Sequence, residues 1–136
     1  IASNLALMSK LKTPIINITT GEGGSGGALA IGVGDHLAML EYATYSVASP
    51  EACASIIWRS SEKASDAANA MKVSADELKK LNIVDNIIKE PDGGSHRDYD
   101  LTAKNIKKSI ITVLTELKRM NTEELIARRY KRLLEI

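Results

Sequence analysis

Phenylalanine is absent from this chain of 136 residues, and tryptophan occurs once, at Trp58. With aromatics at 4% of residues, the chain has no set of rings on which successive bases could stack. Cysteine also occurs once, at Cys53, which excludes an internal disulfide and is compatible with a reducing cytosol. An excess of one charge is missing too. Lys plus Arg number 18 against 17 Asp plus Glu, a net charge of +1. That balance argues against a nucleic-acid or anionic-membrane surface. The two histidines, His36 and His96, are far apart and lack partners at metal-ligand spacing, so no metal is expected in this chain. The longest strongly apolar runs fall far short of a membrane span, and no stretch reads as a signal peptide. The chain opens without Met, and Ile1, Leu5 and Met8 already sit at helical spacing. The sequence is therefore expected to be a piece of a longer polypeptide.

What is present is a soluble, globular composition, 44% apolar and 26% charged, enough for one domain. Its most informative stretch is Gly21-Glu22-Gly23-Gly24-Ser25-Gly26-Gly27, with five of the nine glycines in seven positions. An extended apolar segment, Pro14 to Thr20, runs into it. A small-residue segment of helical character, Ala28 to Val33, runs out of it. Without Cβ atoms, a reacting group can approach the backbone N–H groups closely. A helix starting here points its unpaired N–H groups and its positive dipole end at one spot. Such a loop suits negative charge, either a phosphate or an oxyanion that forms during a reaction.

The remaining pattern alternates. Ile1 to Leu11 reads as an amphipathic helix, and Pro14 to Thr19 as a buried strand. A helix of about two turns should follow the glycine loop through Gly32, with strands at His36 to Glu41 and Thr44 to Ala48. Ser49-Pro50-Glu51 is a helix start, with a capping Ser, Pro at the first helical position and an acid in the first turn. That helix should run to about Trp58. Ala64 to Met71 reads as a short helix, and Ser74 with Glu77 as a capping box for another that ends near Leu81. Ile83 to Ile88 reads as a strand and Glu90 to Gly94 as a turn. Ile106, Ile110, Val113, Leu114 and Leu117 stripe a helix from Tyr99 to Met120. Asn121 with Glu124 forms a second capping box, opening a last helix to Leu134. The pattern is α/β in the first two thirds and helical afterwards.

The glycine loop admits several chemistries. A P-loop lacks its terminal Gly-Lys-Ser/Thr. A dinucleotide fingerprint matches the string Gly21 to Gly26, but needs an acid about 20 positions on at the end of a second strand, for which Glu41 is the only candidate. Gly23-Gly24-Ser25-Gly26-Gly27 matches the Gly-x-Ser-x-Gly of serine hydrolases, and Asp85 or Asp92 and then His96 follow in the usual chain order. An oxyanion hole built from the Gly26 and Gly27 amides is a further reading. A tight turn that lets a helix pack closely on a strand, in a non-catalytic assembly module, needs no chemistry at all. Glu51 reads as a helix-terminal acid and Cys53 as a small buried hydrophobe. The basic run Arg128 to Arg132 is expected to face solvent or a partner acid rather than a phosphate.

Gly21 to Asp35, Thr44-Tyr-Ser-Val47, Ser49-Pro-Glu51, Cys53 to Ile56 with Trp58, Glu90-Pro91, Gly93-Gly94 with His96-Arg97, and Arg128-Arg129-Tyr130 recur in order and at one spacing. Together they make the chain resemble the carboxyltransferase alpha subunits of bacterial acetyl-CoA carboxylase. The resemblance implies an α/β crotonase (Clp protease-like) fold, a spiral of βαβ units. It implies that this chain is only a C-terminal part of the subunit. Residues 1–97 would then be the C-terminal part of the carboxyltransferase domain, and 98–136 its helical extension.

The resemblance also implies the reaction, in which a carboxyl group moves from carboxybiotin to acetyl-CoA to give malonyl-CoA for fatty acid synthesis. The cofactor biotin would be borne by a biotin carboxyl carrier protein. Further partners would be a carboxyltransferase beta subunit, in a heterotetramer of two alpha and two beta, and a biotin carboxylase that uses ATP. The setting would be cytoplasmic. Amides matching Gly26 and Gly27 would stabilise negative charge on the ureido oxygen, while Gly23, Gly24 and Ser25 shape the substrate-binding loop. Related hydratases carry a catalytic Glu where Leu29 stands here, and Leu29 cannot move a proton. The family's zinc ribbon belongs to the beta subunit. The sequence departs from the family pattern at Ala52 (usually Gly) and Ser95 (usually Ala). Asn17 and Thr19 make the strand before the loop more polar than usual, which is expected to lower its stability when uncovered.

Overall fold

The computed structural model describes residues 1–135. Helix α1 (Ala2–Met8) leads into β1 (Ile16–Thr19), β2 (Glu22–Gly24), α2 (Ser25–Gly32), β3 (His36–Leu40) and β4 (Thr44–Ser46). Three short helices follow, α3 (Pro50–Trp58), α4 (Ala64–Ala70) and α5 (Ala75–Lys80). Strand β5 (Asn86–Ile88), the long α6 (Tyr99–Leu117) and α7 (Thr122–Leu134) complete the order. Strands β1, β3 and β5 form one sheet in that order, all parallel, with Ile18 opposite Ala38 and Met39 opposite Ile87. Strands β2 and β4 form a second parallel pair, with Gly23 opposite Tyr45. The glycine loop is thus partly a strand, which its composition hid. Thr44 N–H donates to Gly21 O at 2.8 Å and starts the pairing.

Most expected boundaries hold within a few residues. Ser49 accepts from Ala52 N–H and opens α3, and Arg59 in the left-handed region (φ 57°) ends it. Asn121 and Glu124 form the reciprocal capping box at 3.0 Å in both directions. The expected box at Ser74 does not form, because no side chain caps α5. Strand β5 starts later than the apolar run suggested. Ile83 and Val84 instead turn their N–H groups back to Leu78 O, closing α5. Helix α1 buries little, with Leu5 and Met8 half-buried and Ile1 exposed.

The main core lies on β3. Leu37, Ala38, Met39 and Leu40 are buried against Leu78 of α5, Val84 and Ile88. A second cluster joins Val113 and Leu117 of α6 to Leu125 of α7, against Ile16. The basic run of α7 divides, with Lys131 exposed to solvent and its arginines turned to acids and carbonyls within the chain. Arg129 is 1% exposed and meets Asp35, which is fully buried, at 2.8 Å. Its Nε also donates to Asp35 Oδ1 at 3.0 Å. The rest of the guanidinium donates to the carbonyls of Met8, Ser9, Leu11 and Thr13. Asp35 accepts in addition from Ile15 N–H at 2.7 Å. Arg128 donates to Asp35 O, and Arg132 pairs with Asp85 at 3.0 Å. The partner acids expected for this run are therefore Asp35 and Asp85, both within the chain.

The polar departures at Asn17 and Ser95 have partners. Asn17 donates to Val33 O at 3.3 Å. Thr19, 3% exposed, keeps a hydroxyl with no partner. Ser95 donates to Glu90 Oε1 from both Oγ (2.5 Å) and N–H (2.9 Å). Tyr42 N–H reaches the other Glu90 oxygen at 2.8 Å, tying the segment after β3 to the turn after β5. Burial pushes the Glu90 carboxyl up, but these hydrogen bonds outweigh it and hold it below its ordinary value.

Two stability outcomes follow. Arg129→Ala strands the buried Asp35 carboxylate and takes the shared donor from four carbonyls between Met8 and Thr13. It should cost about 3–5 kcal/mol by denaturant unfolding, a large share of the stability of an ordinary domain. Ser95→Ala should cost about 1 kcal/mol near neutral pH. A carboxyl with a lowered folded-state value stabilises above the ordinary value of 4.5 and loses that contribution as pH falls. The Ser95→Ala difference should therefore shrink below that value in thermal melts taken across pH.

Candidate functional site

Three elements meet at the glycine loop. Strand β2 delivers the chain to Gly24, which is extended (φ −134°, ψ 155°) and stands as the residue before α2. Ser25, Gly26 and Gly27 make the first helical turn, where N–H groups have no intrahelical acceptor. No side chain caps this end, and no acid stands in the first turn. Ser25 is held at φ 49°, a left-handed conformation that costs a non-glycine residue about 1 kcal/mol. Gly26 is half-buried and Gly27 exposed.

The glycines divide by what a side chain would meet. A methyl group at Gly23 would press on Tyr45 Cδ2 at 3.0 Å and Ile31 Cδ1 at 3.3 Å. At Gly32 it would press on the Tyr45 hydroxyl at 3.0 Å. These two glycines serve packing. At Gly21, Gly24 and Gly27 it would meet nothing within 4 Å, and at Gly26 only Ile1 Cδ1 at an ordinary 3.6 Å. The turn does not need these four glycines to pack the helix on the strands.

Beside the first turn of α2 lies a cavity of about 450 Å³, within the range of small-ligand sites. Ser25 and Gly26 line it together with Leu29, Tyr45, Val47 and Met71. Lys72 is its one charged lining residue among the described residues, and it pairs with Glu77 at 2.9 Å. Burial pushes the Tyr45 phenol above its ordinary value. Its hydroxyl therefore keeps its proton and donates to Ala28 O at 2.5 Å. Sequence reasoning assigned no role to Tyr45. No local signal marked it, because its pairing with Gly23 depends on strand β2, which the composition hid.

The groups a serine hydrolase would need are not at Ser25. Among the described residues neither histidine nor any carboxylate lines the cavity. His96 is exposed in the turn Ser95–Arg97. Asp85 is engaged by Leu37 N–H at 2.6 Å and by Arg132. Glu41 does follow β3 in a parallel β1–α2–β3 unit, where a dinucleotide-binding acid would stand. Its carboxylate is taken by Lys89 and by Glu90 N–H, and the bond from Lys89 leads in holding it below its ordinary value. Glu51 is an exposed acid in the first turn of α3, and Cys53 is a free, half-buried thiol. Among the described residues no three His, Cys, Asp or Glu side chains are grouped to hold a metal ion. Among the described residues no helix is long and apolar enough to cross a membrane.

Two solved structures share this architecture. The chain aligns with a transcarboxylase 12S core at TM-score 0.56 and 23% identity, over 65% of this chain and 19% of that one. It aligns with a Pseudomonas malonate decarboxylase hetero-tetramer in complex with coenzyme A at TM-score 0.57 and 20% identity, over 66% and 38%. These likenesses establish the crotonase-type α/β fold. Sequence comparison reaches further. The acetyl-coenzyme A carboxylase carboxyl transferase subunit alpha of Marinomonas sp. (strain MWYL1) is 58% identical over 134 residues, 98% of this chain. The same subunit of Alcanivorax borkumensis is 60% identical, again over 98% of the chain. The chain spans 42% of the length of either relative. The model of the family described as acetyl co-enzyme A carboxylase carboxyltransferase-like matches residues 1–136. With the match unbroken from end to end and identity near three residues in five, this chain belongs to that carboxyltransferase family.

Proposed function

We propose that this chain forms the oxyanion-stabilising part of a carboxyltransferase alpha subunit. The observation that carries the reading is the open space over Gly26 and Gly27, where a side chain would meet at most Ile1. Amides with no intrahelical acceptor, at the positive end of a helix and in residues with open space on their Cβ side, suit a group whose charge appears only during reaction. The relatives' names supply the reaction class, transfer of a carboxyl group within acetyl-CoA carboxylase.

The donor in this reading is carboxybiotin, brought by the biotin carboxyl carrier protein, and the acceptor is acetyl-CoA, which leaves as malonyl-CoA for fatty acid synthesis. Biotin supplies a ureido group whose oxygen takes up negative charge as the carboxyl group departs. The chain's own residues fit that group. The Gly26 and Gly27 amides donate to the ureido oxygen. Gly23 and Gly24 set the path of the loop, and Ser25 turns it into α2. Leu29, Val47 and Met71 give the cavity beside Gly26 an apolar lining that suits the uncharged rings of biotin. A beta subunit, in an assembly of two alpha and two beta, holds acetyl-CoA on the facing side. ATP is spent on a separate biotin carboxylase, and the whole works in the cytoplasm.

The competing hydrolase reading has a nucleophile candidate in Ser25 but no base beside it, so a fluorophosphonate probe should leave Ser25 unlabelled. The decisive variant is Gly26→Pro, which deletes one amide donor. In the alpha subunit assembled with beta, carboxyl transfer should fall by roughly a hundredfold or more. Steady-state transfer to acetyl-CoA, with assembly checked by size-exclusion chromatography, makes the test. Unchanged transfer would reduce the loop to a packing turn.

A further inference from the structure

We infer that Tyr45 is a positioning residue that sets the aim of the Gly26 and Gly27 amides. The inference rests on the function proposed above. Helix α2 spans only Ser25–Gly32, its first residue is strained, its N-terminal end has no side-chain cap, and at its other end Arg132 Nη1 reaches Gly32 O at a long 3.4 Å. A helix of two turns has little stiffness of its own. Its orientation depends on what grips it from outside.

Tyr45 grips it at two points and the strand before it at a third. The hydroxyl donates to the carbonyl of Ala28, the residue after Gly27, at 2.5 Å. The ring edge lies against Gly23, where even a methyl group would sit at 3.0 Å from Cδ2. The hydroxyl also lies against Gly32, where a methyl group would sit 3.0 Å away and meet nothing else within 4 Å. The strand that enters the loop, the first turn and the last residue of α2 are all held by one side chain. Tyr45 is held in turn by its N–H, which donates to Val73 O at 3.1 Å, and by the pairing of β4 with β2. Two glycines of the motif, Gly23 and Gly32, are thus the seat of Tyr45, and the amides at Gly26 and Gly27 are what that seat aims.

The test is steady-state carboxyl transfer by the assembled alpha–beta complex, with Tyr45→Phe, Gly32→Ala and the two combined. Tyr45→Phe keeps the ring and loses only the hydroxyl. Gly32→Ala adds a methyl group whose sole close neighbour is that hydroxyl. Each single variant should lower kcat about tenfold to a hundredfold, with KM for the carboxylated carrier protein within about twofold, because misaimed donors fail in the transition state. The double variant should be no worse than the worse single one, since the methyl group has nothing left to displace. Three results would overturn the inference. These are kcat unchanged in Tyr45→Phe, a rise in KM alone, or single losses that multiply in the double variant. Failure of the underlying function is read separately. If Gly26→Pro transfers carboxyl groups normally, both fall. If Gly26→Pro is impaired while Tyr45→Phe is not, only the positioning role falls.

Discussion

The buried pair of Arg129 and Asp35 is the constraint on which the rest of this structure depends. Placing two charges in the interior is expensive unless each is paired and its remaining hydrogen-bonding capacity is filled. Here both conditions are met. The guanidinium reaches both Asp35 oxygens and four carbonyls between Met8 and Thr13. Asp35 lies at the turn from α2 into β3 and also holds the entry to β1 through Ile15 N–H. One side chain from the last helix thereby fixes the segment before β1 and the segment after α2. Those are the two ends of the unit that carries the glycine loop. The loop can be poor in side-chain contacts because its flanks are not.

That arrangement explains why the C-terminal helices matter to a site they do not line. Helix α7 anchors the unit from one side through Arg129 and the next strand through Arg132 and Asp85. Helix α6 adds an apolar cluster against Ile16 of β1. Buried ion pairs are weak contributors to net stability but severe penalties when broken, so their effect is to make one geometry much better than its neighbours. Under the proposed function, in which the chemistry depends on where two amides point, geometry is the quantity that counts.

Much of this was legible in the sequence, and the parts that were not have a common cause. Local signals read well. The Ser49 and Asn121 caps, the β-branched run of β1 and the apolar stripe of α6 all act within a few residues of one another. Arg129 did not, because Arg128, Arg129, Lys131 and Arg132 look alike in a sequence, and only the partner 94 positions away selects one for burial. Strand β2 was hidden because Glu22-Gly23-Gly24 has no strand propensity, and its pairing comes from β4. Ser74 with Glu77 had the right spacing for a capping box and formed none. The polar residues of β1 split in outcome, since Asn17 finds Val33 O whereas Thr19 finds no partner.

The glycine motif shows the same boundary between local and tertiary information most clearly. As a string it fits a dinucleotide fingerprint, a hydrolase elbow, an oxyanion hole or a plain turn, because all four ask for residues without Cβ atoms. The structure adds what each missing Cβ would meet. At Gly23 and Gly32 the answer is Tyr45, so these glycines belong to the fold. At Gly24 and Gly27 the answer is empty space, and at Gly26 it is the end of a side chain at normal contact distance. A turn that needed glycine only for packing would show close contacts at every one of them. Contacts at Gly23 and Gly32 and open space at Gly24, Gly26 and Gly27 are what the proposed function asks for, one set of glycines building the loop and another left free of packing.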